Sequence, residues 1–210
     1  MKVYVGHTCS GPMLEACRRF GEMTVRGELP PKRQPWAFDN GAFRDHQKGK
    51  PFRSDMYRRA LDRLREVPVP PDFVAVPDIV CGGLASMAFS LYWRSEVKRY
   101  TSAPLYLVVQ DGMSERDTEC VIDEFAGVFV GGSPAWKNET GAGWVEWSHA
   151  LDRPCHIGRC GTANKVHWAR RIGADSIDSC LPLRSFDNFR RFVGALDDEL
   201  PGLPLLERVA

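Results

Sequence analysis

The sequence predicts an α/β fold, a compact (β/α)8 barrel of the TIM type, and three observations carry that expectation. Seven short β-rich runs alternate with amphipathic segments along the chain, the pattern of a parallel sheet with crossover helices. The first run is followed by Gly6-His7-Thr8-Cys9-Ser10-Gly11 and not by a GxGxxG loop, which favours the barrel over a doubly wound open sheet. The 210 residues sit at the lower end of the barrel size range. The eighth strand is therefore expected to be very short, donated by the tail after Leu196, or missing.

In chain order the strands are Val3–Gly6, Trp36–Asp39, Phe73–Pro77, Leu105–Gln110, Val128–Gly131, Cys155–Gly158 and Ser176–Ser179, each rich in β-branched, aromatic or aliphatic residues. Between them, helical spacing of apolar residues predicts Pro12–Arg19, Ser54–Glu66, Leu84–Tyr100, Ser114–Glu124, Trp144–Leu151, Asn164–Ile172 and Phe186–Leu196, several opened by a Ser, Thr or Asp cap. Two stretches read as long surface connections. Arg26–Gln34 is broken by Gly27, Pro30 and Pro31, and Ser133–Gly143 is rich in Gly, Pro and Asn. Pro201–Ala210 reads as a packed or frayed tail. No repeat, low-complexity tract or composition break divides the chain, so residues 1–210 are expected to form a single domain.

Composition excludes several classes. Lys and Arg number 28 against 27 Asp and Glu, so no global field draws the protein to a polyanion, and nucleic acid would have to be held by a local patch. The longest apolar runs fall far short of the roughly 20 residues that span a bilayer, so no membrane partner is expected. Seven scattered cysteines without a CxxC pair, behind a strand-like start, suggest a reduced cytoplasmic protein. The spacing of Cys155, Cys160 and His167 suits no metal site, and no metal or cofactor is expected.

Functional groups of a barrel sit at the C-terminal ends of its strands. Here those ends are acidic or bare: Asp39-Asn40-Gly41, Asp78, Gln110-Asp111-Gly112, Gly131-Gly132 and Asp178. Carboxylates and an amide can read the edge of a nucleobase, glycines let backbone approach the ring, and two further carboxylates can work at an anomeric carbon. Plainer roles stand beside these. Asp39 and Asn40 suit a turn, Asp78 suits a cap, and Gln110 suits an exposed loop. Strand alternation sends Ile177 to one face and Asp178 to the other, toward the barrel interior. His7 and His156, at the end of strand one and on strand six, are placed either to touch substrate or, as is commoner, to serve as hydrogen-bonded structural histidines. Trp136 and Trp144 flank the glycine-rich stretch as candidate platforms for extruded bases.

At these residues the chain resembles the tRNA-guanine transglycosylase family, from about Trp36 to Arg184. Gly173-Ala174-Asp175-Ser176-Ile177-Asp178-Ser179-Cys180-Leu181-Pro182-Leu183-Arg184 is similar to the family's G-V-D-M-F-D-C-V-L-P-T-R, and His156-Ile157-Gly158-Arg159-Cys160-Gly161-Thr162 to its M-G-V-G-T. Asp39-Asn40-Gly41-Ala42-Phe43-Arg44 resembles D-S-G-G-F-Q, with Asn40 and Ala42 in place of Ser and Gly. The resemblance implies Asp178 as nucleophile, Asp39 as general acid/base, and Asp78, Gln110, Gly131 and Gly132 as the base-reading set. It implies Phe43 stacking on the base beside Asn40. Arg159, Lys165 and Arg184, at strand ends, are placed to meet phosphates. After Gly131-Gly132 the sequence departs from the family's L-A-V-G-E, and the cysteine pattern of the family's tRNA enzymes is absent.

The compact length and the absence of that cysteine-bearing appendage are shared with phage and bacterial relatives that exchange guanine in DNA. The resemblance thus implies a DNA-guanine transglycosylase, acting in the cytoplasm, that inserts a 7-deazaguanine such as preQ0 or preQ1 through an aspartyl glycosyl-enzyme. Rival expectations are a tRNA- or nucleoside-directed transglycosylase, an N-glycosidase of the same fold, and a non-catalytic nucleobase-binding protein. The sequence leaves the oligomeric state open.

Overall fold

The structure, a computed structural model, describes residues 1–198. Eight parallel strands close into a barrel in chain order: β1 (Lys2–Gly6), β2 (Gly21–Val25), β3 (Trp36–Asp39), β4 (Val74–Ala75), β5 (Leu105–Val109), β6 (Gly127–Val130), β7 (Cys155–Ile157) and β8 (Ser176–Ser179). β8 pairs back onto β1, with Asp178 opposite Tyr4. Around the cylinder lie α1 (Gly11–Ala16), α2 (Ala42–His46), α3 (Ser54–Leu64), α4 (Gly83–Val97), α5 (Glu115–Thr118), α6 (Pro134–Ala150), α7 (Ala163–Arg171) and α8 (Phe186–Asp197). Among the described residues no helix is long and apolar enough to cross a membrane.

Strand alternation builds two cores. Tyr4, Met23, Phe73, Tyr106, Val108 and Phe129 fill the cylinder, with the Phe73 and Tyr106 rings stacked 4.3 Å apart. Strand residues of the opposite parity, such as Val5, Phe38, Leu107 and Ile177, face outward into a larger apolar layer shared with the helices. Ile177 and Asp178 therefore take opposite faces, as the two-residue period requires.

The eighth strand exists, and it is not where the chain length suggested. It is β2, Gly21–Val25, second in order; the tail after residue 198 lies outside the described residues. Its pattern hides it, because Glu22 and Thr24 occupy the outward face where an apolar residue is usual. No helix follows β2. Instead the connection back to β3 supplies polar partners for a fully buried Glu22: the amides of Lys32 and Arg33, each 3.0 Å from Oε2, with His7 Nδ1 2.8 Å and Thr24 Oγ1 3.1 Å from Oε1. Arg33 lies 3.7 Å from the same carboxylate and donates to the carbonyls of Val5 and Gly6 at 2.8 and 3.1 Å, tying the connection to the end of β1. Removing one partner of a buried ion pair strands the other charge. Arg33→Met is accordingly expected to lower stability by about 3 kcal/mol in denaturant titrations.

The second correction concerns Ser133–Gly143, expected as a loop and found within α6. Ser133 caps the helix, accepting from the Trp136 amide at 3.3 Å, and Pro134 opens it. Gly141 lies against Trp168 of α7 so closely that a Cβ would sit 2.8 Å from the indole. Glycine serves helix packing there, not a turn. Trp144 is fully buried in the outer core and so offers no surface to an extruded base.

Candidate active site

The C-terminal strand ends surround one cavity of about 470 Å³, lined by Asp39, Asn40, Phe43, Asp78, Gln110, Gly131, Gly132, Arg159, Asp178 and Arg184, whereas the candidate platforms Trp136 and Trp144 do not line it. Elements far apart in the chain thus deliver one constellation.

One wall is an amide-carboxylate lattice. Asp78, just past β4, accepts from Asn40 Nδ2 at 2.8 Å on Oδ1 and from Gln110 Nε2 at 2.5 Å on Oδ2. Gln110 is itself locked, since its Oε1 accepts from the Gly132 amide at 2.9 Å and the Cys81 amide at 3.1 Å. Burial pushes the Asp78 carboxyl up to about 7 in spite of these donors, and the neighbouring charge of Asp39 adds to the rise. The glycines are required by space. A Cβ on Gly131 would lie 2.5 Å from Gln110 Nε2, and Gly132 has φ 70° with Trp136 against it.

The two acids at the ends of β3 and β8 line the same cavity. Asp39 closes the Asx turn its sequence suggested, its Oδ1 accepting from the Gly41 amide at 2.6 Å, while also lining the cavity. Burial raises its carboxyl to about 6, against the pull of the Gly41 amide, and the charge of Asp178 raises it further. Asp178 behaves in the opposite way. Burial works against its charge, but the His156 hydrogen bond, the Arg159 amide and the Lys137 charge prevail and hold the carboxyl below the usual range. Two carboxylates at one mouth thus differ in proton affinity, the arrangement that divides acid/base work from nucleophilic work.

Arg159 follows β7 with φ 60°. Its amide donates to Asp178 Oδ1 at 3.0 Å, while its guanidinium lies 4.0 Å over the Phe43 ring and donates to the Gly132 carbonyl. Arg44, Lys165 and Arg184 complete a cationic rim.

Two contributors were not assigned from the sequence. His156, read as a structural histidine, reaches Asp178 Oδ1 from 3.2 Å and is fully buried. Lys137, hidden in a segment expected to be loop, is buried with its Nζ on the Gly158 carbonyl, and desolvation lowers it to about 8. The departure from the family pattern at Lys137 was the one available signal. Among the described residues no three His, Cys, Asp or Glu side chains gather as metal ligands would.

No protein-family model and no curated protein matches the chain. The functional reading therefore stands on the fold, the site and the resemblance carried by the motifs above.

Proposed function

We propose that the protein is a base-exchange transglycosylase that replaces guanine in DNA with a 7-deazaguanine base. The observation that carries this reading is the pairing of a readily ionised Asp178 with a proton-retaining Asp39 across a cavity whose third carboxylate, Asp78, is held in an amide lattice. The target nucleotide is flipped out of the duplex so that its base enters the cavity. Asp78 accepts from the N1–H and 2-amino edge of guanine, beside Gln110 and the Gly131-Gly132 backbone. Asp178 attacks C1′, the C1′–N9 bond breaks, and the departing base takes a proton from Asp39. The incoming base then yields its N9 proton to Asp39 and attacks C1′. The ester to Asp178 breaks, and configuration is retained after two inversions. A 7-deazaguanine keeps the edge that Asp78 reads, so one pocket serves both bases. The cationic rim supports a polyanionic substrate, and the resemblance to DNA-acting relatives supports DNA over tRNA.

Nucleoside mass spectrometry of duplex DNA, single-stranded DNA, tRNA and free nucleoside, each incubated with the protein and preQ0, tests this. The expected product is a 7-deaza-2′-deoxyguanosine in DNA. Incorporation into tRNA or nucleoside alone moves the activity to that acceptor, and guanine release without incorporation makes it an N-glycosidase. No product with any acceptor, from protein shown to be folded, overturns the reading. In the same assay Gly131→Ala is expected to raise the KM for the incoming base about 10-fold or more, because the new methyl displaces the Gln110 amide from Asp78.

A further inference from the structure

Asp178 is held asymmetrically. Both protein donors fall on Oδ1, His156 Nε2 at 3.2 Å and the Arg159 amide at 3.0 Å, and none of the described residues donates to Oδ2. Behind His156, its Nδ1 lies 2.8 Å from Ser176 Oγ. Ser176 and Asp178 belong to β8 and His156 to β7, and the register sets His156 opposite Ser176. The three side chains form a line inside the barrel. A carboxylate only accepts, so Nε2 carries the hydrogen toward Asp178 and Nδ1 accepts from the serine hydroxyl. Burial keeps the imidazole below its usual value against the pull of Asp178, consistent with a neutral ring.

We propose that Ser176 and His156 form a positioning chain that fixes Oδ1 of Asp178 and so selects Oδ2 as the atom that attacks the sugar. This rests on the transglycosylase reading and deepens it. In the first step Oδ2 bonds to C1′ as the C1′–N9 pair leaves with guanine. Oδ1 becomes the ester carbonyl and keeps both donors. In the second step the C1′–Oδ2 pair returns to the carboxyl group as N9 of the new base bonds to C1′. The donors on Oδ1 stabilise the charge that develops there, so His156 makes Asp178 a better leaving group as well as an oriented nucleophile.

Phenylalanine suits the test at His156, whose ring lies 4.5 Å from Phe129 and 5.1 Å from Phe73, so that His156→Phe removes the donor and keeps an aromatic ring. The groups that also face this pair are Tyr4 of β1, Asp39 of β3, Lys137 of α6, Arg159 and Cys160 after β7, and Cys180 after β8. All are unchanged in the comparison.

With carboxyl-labelled aspartate, and the Asp178 resonance assigned through Asp178→Asn, NMR titration of His156→Phe is expected to move the Asp178 midpoint up by about one pH unit or more. Exchange is expected to slow about 10- to 100-fold in kcat with little change in KM, and the covalent protein–DNA adduct to accumulate on denaturing gels. His156→Gln, which can return an N–H to Oδ1, is expected to restore much of both. Should His156→Phe fail to fold, Ser176→Ala carries the same comparison with a smaller shift. An unmoved midpoint and unchanged adduct level in a folded variant overturn the proposal. Wild-type protein that exchanges no base while the midpoint still follows His156 leaves the chain standing and removes the transglycosylase reading.

Discussion

Asp178→Ala is expected to abolish base exchange, by about 10⁴-fold or more, and to leave no covalent adduct with DNA. The size follows from the role. A general acid or a binding contact can be replaced in part by water, whereas a nucleophile that forms the intermediate has no substitute at the same position. The loss is separable from misfolding, because alanine removes a buried carboxylate and leaves its donors, His156 Nε2 and the Arg159 amide, beside a cavity that admits water. Incorporation of labelled guanine measures the rate, and a thermal melt of the same sample measures the fold. Substantial exchange by the alanine variant would remove Asp178 as nucleophile and take the two-step scheme with it.

Asp39→Asn is expected to lower exchange about 10²- to 10⁴-fold while raising stability at neutral pH. Asparagine keeps the oxygen that accepts from the Gly41 amide, so the turn survives and only proton transfer is lost. In the proposed reaction Asp39, its carboxyl raised to about 6, assists the departing base in its protonated form below that value and deprotonates the incoming base in its ionised form above it. The wild-type rate should bend near pH 6, and the bend should vanish in the variant. Stability moves in the opposite sense. The unfolded carboxyl titrates near 3.8, so between that value and about 6 the folded state holds the extra proton, and rising pH erodes stability through the window. Above it the buried charge remains a standing cost. The melting temperature of Asp39→Asn should therefore exceed that of the wild type by a few degrees at pH 8 and by little at pH 4. Equal melting temperatures at pH 8 would show that the carboxyl is not strained by burial.

Asp78 follows the same logic for recognition. In the proposed reaction its carboxyl, raised to about 7, takes the ionised form to accept the two donors of guanine, while Asn40 and Gln110 hold the carboxyl group in place. At both Asp39 and Asp78 burial opposes the ionised carboxyl and so costs stability at neutral pH.

Much of the architecture was legible along the chain because two periods are written into it. Alternation of two sent Ile177 to the outer layer and Asp178 to the interior, and acidic residues stood at the strand ends that line the cavity. The failures have equally local causes. β2 carries Glu22 and Thr24 where apolar residues mark an outward face, and that burial is made tolerable by partners from elsewhere in the chain, His7 upstream and the Lys32 and Arg33 amides 10 and 11 residues downstream. α6 contains Gly141 and Gly143, whose helix-weakening composition is offset by close packing, Gly141 against Trp168 of α7 and Gly143 against Glu115 of α5.

What the amino-acid order determined by itself is thus the barrel, the opposite faces of Ile177 and Asp178, and the gathering of Asp39, Asp78, Gln110, the Gly131-Gly132 pair and Asp178 at one rim. Only the tertiary structure decided how those groups behave. Whether a carboxyl keeps or sheds its proton depends on burial and on neighbours such as His156 and Lys137, which lie 22 and 41 residues from Asp178 along the chain and beside it in space. A residue's type and spacing carry its reach and polarity, but its proton affinity is a property of the surrounding field, and that field comes into being when the cylinder closes.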